Sequence, residues 1–92
     1  MIRLTSGAVA LITIVVGQRS DASDGGLRIT AVDGSLDLTF VPHREPGDEV
    51  VEQAGARVFL DAPAAQQLDG KTLDGRVTDA GAPAFDVIEP TV

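Results

Sequence analysis

The residues best suited to chemistry in this sequence form a short acidic stretch with a histidine just before it. They are His43, Glu45, Asp48, Glu49 and Glu52. Clustered carboxylate oxygens are the ligands that Mg²⁺ and Ca²⁺ need, but the spacing does not match a calcium loop such as the EF-hand. A transition metal at the histidine would need a second nitrogen or sulfur ligand, and the sequence has no other histidine and no cysteine. We therefore favour a solvated acidic loop over a metal site.

Three other combinations of residues can be weighed against ordinary structural roles. Asp69 and Asp74 could form an acid/base pair, but Asp69 lies beside a glycine and suits a turn. Ser35 has no nearby base or oxyanion loop, so it is better explained as the residue that closes a hairpin. Gly25-Gly26 is not followed by Lys-Ser/Thr or by a helix start, as a phosphate loop requires. We expect no catalytic, cofactor-binding or metal-binding residues, and no enzyme activity.

Composition excludes several classes of function. The 92 residues carry a formal net charge of −7 and no cysteine. A chain of this length predicts one small domain spanning residues 1–92. The missing cysteine excludes disulfides, thiolate zinc sites, cysteine-ligated clusters and thiol catalysis. The acidic surface, together with three phenylalanines and no Trp or Tyr, argues against a nucleic-acid partner.

The apolar stretch at residues 7–17 predicts a helix with Thr5 as its N-cap, although its β-branched residues also suit a strand. It is too short to span a membrane. The Gln18-Arg19 that follows does not resemble a signal-peptide cleavage site, so we expect a cytoplasmic protein with no membrane contact. Because the helix is apolar almost all round, some of its side chains must be exposed or covered by a partner. This predicts a homodimer through the N-terminal helix.

The rest of the sequence predicts strands at residues 27–32, 35–41, 49–53, 56–60 and 84–88, with a further extended segment beginning at Thr72. Asp33-Gly34 is a two-residue hairpin signal. A short helix near residues 63–68 has Asp61 as its cap, and Gly70 follows it. The fold class is therefore mainly β (α+β), with an N-terminal helix and one short internal helix. The strand patterns predict a core of Leu27, Ile29, Leu36, Leu38, Phe40, Val58, Leu60, Leu73, Phe85 and Val87.

The order of these elements and several short motifs are shared with a known family. The matching positions are Leu4-Thr5, Gly26-Leu27-Arg28, Val50-Val51-Glu52, Gly55, Val58, Asp61, Leu68-Asp69-Gly70, Leu73-Asp74, Phe85 and Pro90. On these residues the chain resembles the HesB/IscA-like family, the A-type carriers of iron–sulfur cluster assembly, over nearly its whole length. The resemblance implies a small twisted β pseudo-barrel or sandwich.

The cysteines that work in that family have no counterpart in this sequence. The family carries one cysteine in a Gly-Cys-Ser-Gly loop after the Gly-Leu-Arg strand and two in a C-terminal Cys-Gly-Cys segment. Here the loop is shortened to Asp33-Gly34-Ser35, with Ser35 nearest to the cysteine position, and residues up to Val92 include no Cys-Gly-Cys. The resemblance therefore transfers the fold and not the chemistry.

Three functions remain open from the sequence. The first, which we favour, is a non-catalytic protein-interaction or scaffold module that holds no iron–sulfur cluster itself, with a partner that the sequence does not identify. The second is an accessory factor in cluster assembly that acts through a cysteine-bearing partner. The third is a metal binder that uses the carboxylates of residues 45–52.

Overall fold

The structure is a computed structural model, which describes residues 2–18 and 25–89. It contains seven strands and two helices in these ranges. In chain order they are β1 (Arg3–Leu4), α1 (Ser6–Gly17), β2 (Gly26–Val32), β3 (Ser35–Val41), β4 (Glu49–Gln53), β5 (Ala56–Leu60), α2 (Ala62–Gln67), β6 (Thr72–Val77) and β7 (Pro83–Ile88). The strand-rich α+β fold is confirmed, and residues 6–17 are helical despite their β-branched content. Pro90, expected to end the last strand, lies outside the described residues.

The larger sheet has four strands in the order β3-β2-β5-β4. Its two antiparallel hairpins close through two-residue turns in which both residues have positive φ, Asp33-Gly34 at 51° and 81° and Ala54-Gly55 at 51° and 88°. These are the values of type I′ turns, whose twist matches that of the flanking strands. Strands β2 and β5 pair in parallel, so the two hairpins lie side by side in one sheet.

The smaller sheet has three strands in the order β1-β6-β7, with β1 parallel and β7 antiparallel to β6. Gln53 of the larger sheet reaches β1, where its side-chain amide donates to Leu4 O at 2.8 Å. The Leu4 N–H donates back to Gln53 Oε1 at 3.4 Å. This reciprocal pair of hydrogen bonds ties the two sheets together.

Both helices begin at the caps that the sequence predicts. Thr5 Oγ1 accepts from the Ala8 N–H at 3.1 Å, and Asp61 Oδ1 accepts from the Ala64 N–H at 2.9 Å. Each cap satisfies a backbone donor that has no partner within the first helical turn. Asp61 Oδ1 also accepts from the Ala31 N–H at 3.4 Å, so the same carboxylate anchors α2 to β2.

The core lies between the two sheets and takes in both helices. Five of the ten predicted core residues are fully buried, namely Leu27, Ile29, Val58, Leu60 and Leu73. The other five, Leu36, Leu38, Phe40, Phe85 and Val87, pack against the core but are only partly buried. They lie on β3 and β7, which are edge strands. The core is completed by residues outside the predicted set, among them Ala8, Ile12 and Leu68.

The N-terminal helix meets β6 at almost backbone-to-backbone distance. A Cβ placed on Gly75 would lie 2.9 Å from Ala8 Cα and 3.2 Å from Phe85 Cε1. A Cβ on Gly7 would lie 2.6 Å from the Gly75 carbonyl oxygen. Only glycine at both positions allows α1 to approach β6 this closely.

We expect Gly75→Ala to lower the free energy of unfolding by about 1–3 kcal/mol, because the added methyl must push the helix away from the sheet. Urea unfolding followed by circular dichroism measures the change. Gly17→Ala is the matched control, since a Cβ at the last helical residue meets nothing within 4 Å. It should leave stability unchanged or raise it by less than about 1 kcal/mol. Equal losses in both variants would contradict the close approach.

Candidate functional site

The β2–β3 turn occupies the place where the resemblance puts a cysteine-bearing loop. The turn contains only Asp33 and Gly34, and Ser35 pairs directly with Val32 as the closing pair of the hairpin. Gln67 of α2 donates its side-chain amide to Gly34 O at 3.5 Å, a distance at the limit of a hydrogen bond. Ser35 therefore has the position of a hairpin-closing residue at an exposed turn.

The acidic stretch is divided between separate ion pairs. The Asp48 carboxylate accepts from Arg28 Nε at 2.8 Å and from Arg28 Nη2 at 3.1 Å. Glu52 accepts from Arg57 Nε at 2.7 Å. Within residues 2–18 and 25–89, no three His, Asp or Glu side chains lie together as a metal site would require.

The Arg28–Asp48 pair is the best-shielded ion pair among the described residues. The Asp48 side chain is 4% exposed and that of Arg28 is 26% exposed. The two parallel hydrogen bonds from the guanidinium lower the pKa of Asp48, and a bond from the Glu45 N–H contributes in the same direction. The pair joins Asp48, at the end of the loop of residues 42–48, to Arg28 in β2, 20 residues earlier in the sequence. It therefore holds the end of this loop against the strand.

The start of the loop at residues 42–48 lies beside Phe59 on the outer face of the larger sheet. Val58 and Leu60 point into the core between the sheets, so Phe59 points to the opposite face. Phe59 is nevertheless only 2% exposed. A shallow cleft of about 370 Å³ beside it is lined by His43, Arg44, Val50 and Arg57. Phe59 is thus a buried apolar residue outside the main core, with His43 and Arg44 of the loop beside it.

Asp74 has a structural partner in the N-terminal cap. Its Oδ1 accepts from the Thr5 hydroxyl at 2.6 Å and from the Gly75 N–H at 3.0 Å. The same hydroxyl oxygen caps α1, so Asp74 links the start of the helix to β6. Asp69 is exposed in the turn that follows α2. The structure therefore assigns Asp74 a role in holding the helix.

Apolar residues are exposed at several places in the described part of the chain, and two of these surfaces can bear on function. On α1, Ile14 is 57% exposed, and Ala10 and Thr13 are exposed on the same helix. The second surface, which we call the apolar cleft, is a cavity of about 380 Å³ lined by Leu27, Leu38, Phe40, Pro83 and Phe85. The rings of Phe40 and Phe85 meet there with centroids 6.1 Å apart. The sequence did not predict this cleft. Alternating apolar residues show which face of a strand is apolar, but they do not show whether another strand covers that face.

Neither of the helices in the described part of the chain is long and apolar enough to cross a membrane.

Solved structures of similar shape carry the same arrangement of elements. Escherichia coli SufA, involved in biosynthesis of iron–sulfur clusters, is 24% identical, with a TM-score of 0.77 over 94% of this chain and 82% of its own. IscA with a [2Fe-2S] cluster is 23% identical, with a TM-score of 0.70 over 98% and 86%. A protein from Aquifex aeolicus, solved by NMR, is 28% identical, with a TM-score of 0.76 over 97% and 91%. No protein-family model matches the sequence.

A relative in sequence completes the comparison. The uncharacterized protein y4vC of Sinorhizobium fredii is 32% identical over an alignment of 79 residues, and the match covers 80% of this chain and 74% of that protein. The chain belongs to the HesB/IscA-like family. It is a cysteine-free member, since its 92 residues include none. The expected family and fold are therefore confirmed, and what this HesB/IscA-like chain does without cysteines becomes the functional question.

In this small HesB/IscA-like domain, the Arg28–Asp48 pair should contribute more to the free energy of unfolding than an exposed ion pair does. Arg28→Met leaves a shielded carboxylate without its partner, and we expect a loss of about 2 kcal/mol at pH 7. Because the folded pKa of Asp48 is depressed, its contribution is complete above the unfolded value of about 3.9 and is lost as pH falls through the folded value. Urea unfolding at several pH values measures this. In Arg28→Met the free energy of unfolding should fall less steeply with decreasing pH in the acid range than it does in the unmodified chain.

Arg76→Met is the matched control for this measurement. Arg76 pairs with Asp86 at 3.3 Å, but both side chains are more than half exposed. An exposed pair of this kind should contribute less than about 1 kcal/mol. Similar losses and similar pH profiles in the two variants would show that the Arg28–Asp48 pair has no special role.

Proposed function

We propose that the chain is a non-catalytic protein-interaction or scaffold module that keeps the HesB/IscA-like fold and does not itself bind an iron–sulfur cluster. The observation that carries this proposal is that the chain keeps the HesB/IscA-like fold but has no cysteine that could bind iron through a thiolate. Both sheets and both helices are present, yet the 92 residues contain no cysteine. A domain that keeps its shape without those ligands still has a surface with which to bind other proteins.

The chemistry of cluster iron supports the part of the proposal that says the chain binds no cluster itself. Protein-bound clusters are held mainly by cysteine thiolates, with histidine as an occasional substitute. This chain has one histidine, His43, so a dimer could offer two imidazoles and no thiolate. Carboxylates suit hard cations and compete poorly for such iron. The Ser35 hydroxyl would have to lose a proton held far more tightly than that of a thiol.

Anaerobic reconstitution with iron and sulfide tests this directly. After desalting, we expect no visible charge-transfer absorption and no stoichiometric iron, because no thiolate is available to retain the cluster. A cysteine-bearing carrier treated in parallel is the positive control. Stoichiometric iron with a cluster-like absorption band would overturn the proposal, and Asp33, Ser35, Asp37 and His43 would then be the residues to test as ligands.

The exposed side of α1 supports self-association as part of the same proposal. The helix buries Ala8, Leu11 and Ile12, while Ile14 is exposed. An exposed apolar stripe on a soluble domain commonly marks an interface. We propose a homodimer formed through this helix.

Sedimentation at micromolar concentration tests the homodimer. The unmodified chain should sediment as a dimer, and Ile14→Glu should shift it to a monomer, because burying an unpaired carboxylate in the interface is costly. Val32→Glu is the matched control, since Val32 is 59% exposed at the end of β2, and it should leave the dimer intact. A monomer before any substitution, or equal effects of both variants, would exclude this interface.

A further inference from the structure

The two sheets of the domain leave their open edges on either side of the apolar cleft. In the four-stranded sheet β3 is the outermost strand, and in the three-stranded sheet β7 is the outermost strand. Within residues 2–18 and 25–89, no strand lies on the outer side of either one. Leu38 and Phe40 of β3 line the cleft opposite Pro83 and Phe85 of β7. The cleft is therefore an opening of the core between two unpaired strand edges.

The residues around this opening alternate between apolar and polar, as in strands that pack on a core, but their apolar side chains are only partly buried. On β3, the alternating residues Leu36, Leu38 and Phe40 pack against the core and remain partly exposed. Phe85 and Val87 of β7 do the same. Antiparallel strands with apolar residues at every second position commonly pack that face on a core. One further layer of apolar side chains over the cleft would complete the burial.

The backbone of β3 determines what kind of segment fits. An edge strand presents N–H and C=O groups without ladder partners, and an extended chain can pair with them. A helix could cover the apolar side chains but would leave those backbone groups unpaired. Strand addition therefore satisfies both the backbone of β3 and the apolar side chains below it.

The side chains on the outer face of β3 determine the charge of that segment. Ser35, Asp37 and Thr39 alternate with the apolar residues and are exposed. A residue of an added strand that faces outward would lie beside Asp37, where an opposite charge is favourable and a like charge is not. The formal net charge of −7 acts in the same direction at longer range.

We propose that the outer edge of β3 binds an extended segment of a partner protein in which apolar residues alternate with lysine or arginine. The apolar residues close the cleft over Phe40 and Phe85, and the basic residues pair with Asp37 on the outer face. A second copy of this chain fits less well at this edge, because its own β3 carries Asp37 and no basic residue to pair with the first Asp37. This inference rests on the proposed interaction function and specifies its surface and its partner.

Fluorescence anisotropy with three labelled eight-residue peptides tests the proposal. The probes are an alternating Lys–Val peptide, an alternating Glu–Val peptide and a Lys–Ser peptide of the same charge as the first. We expect the Lys–Val peptide to bind at least about tenfold more tightly than either of the others, since only it satisfies both the cleft and Asp37. Amide chemical shifts should change along β3 and at Phe85, and not on α1.

Asp37→Lys is the decisive variant because the side chain is exposed and its replacement leaves the core unchanged. It should reverse the preference, so that the Glu–Val peptide binds more tightly than the Lys–Val peptide. Glu49→Lys on β4, at the opposite edge of the same sheet, makes the same change of charge at an exposed position and should preserve the original order. A merely structural role for Asp37 would not reverse a charge preference.

Several results would overturn the proposal. They are equal binding of the Lys–Val and Lys–Ser peptides, an unchanged preference in Asp37→Lys, and shift changes confined to α1. Sedimentation of the free chain adds one more, because a dimer lost on Asp37→Lys would make a second copy the occupant of the edge. None of these outcomes bears on cluster binding, so the reconstitution experiment still tests the proposed function separately.

Discussion

The close approach of α1 to β6 is the constraint on which much of this structure depends. Gly7 and Gly75 let the two backbones touch, and the Thr5–Asp74 hydrogen bond of 2.6 Å holds the start of the helix over the strand. A helix fixed in this way can bury only one side. Ala8 and Ile12 enter the core, and Ile14 is left in solvent. The exposed apolar stripe is thus a direct consequence of how the helix is docked.

The same structure separates the parts of a HesB/IscA-like domain that maintain its shape from the parts that hold a cluster. Asp61, Asp74 and Arg28 all lie in motifs shared with the family, and each makes a structural contact in this chain. The position nearest to the family's first cysteine is instead a two-residue turn closed by Ser35. The fold therefore depends on contacts that the cysteines do not supply, which explains how it persists without them.

Local chemistry made much of the fold predictable from the sequence. Asp33-Gly34 predicted its hairpin, and Thr5 and Asp61 predicted their helix caps, because each signal acts over a few residues. Contacts distant in sequence were not predictable. Phe59 is buried on the outer face of the larger sheet beside a loop that the Arg28–Asp48 pair joins to β2 across 20 residues. Phe40 and Phe85 remain partly exposed because their strands are sheet edges. Asp74, weighed as a possible acid/base group, proves to hold the helix cap, which its place in a strand did not reveal.

Native mass spectrometry of the protein purified without oxygen measures subunit number and bound inorganic atoms together. We expect a dimer of the 9.5 kDa chain with no added mass. A species heavier by the iron and sulfide of a cluster, retained after gentle desalting, would contradict this expectation.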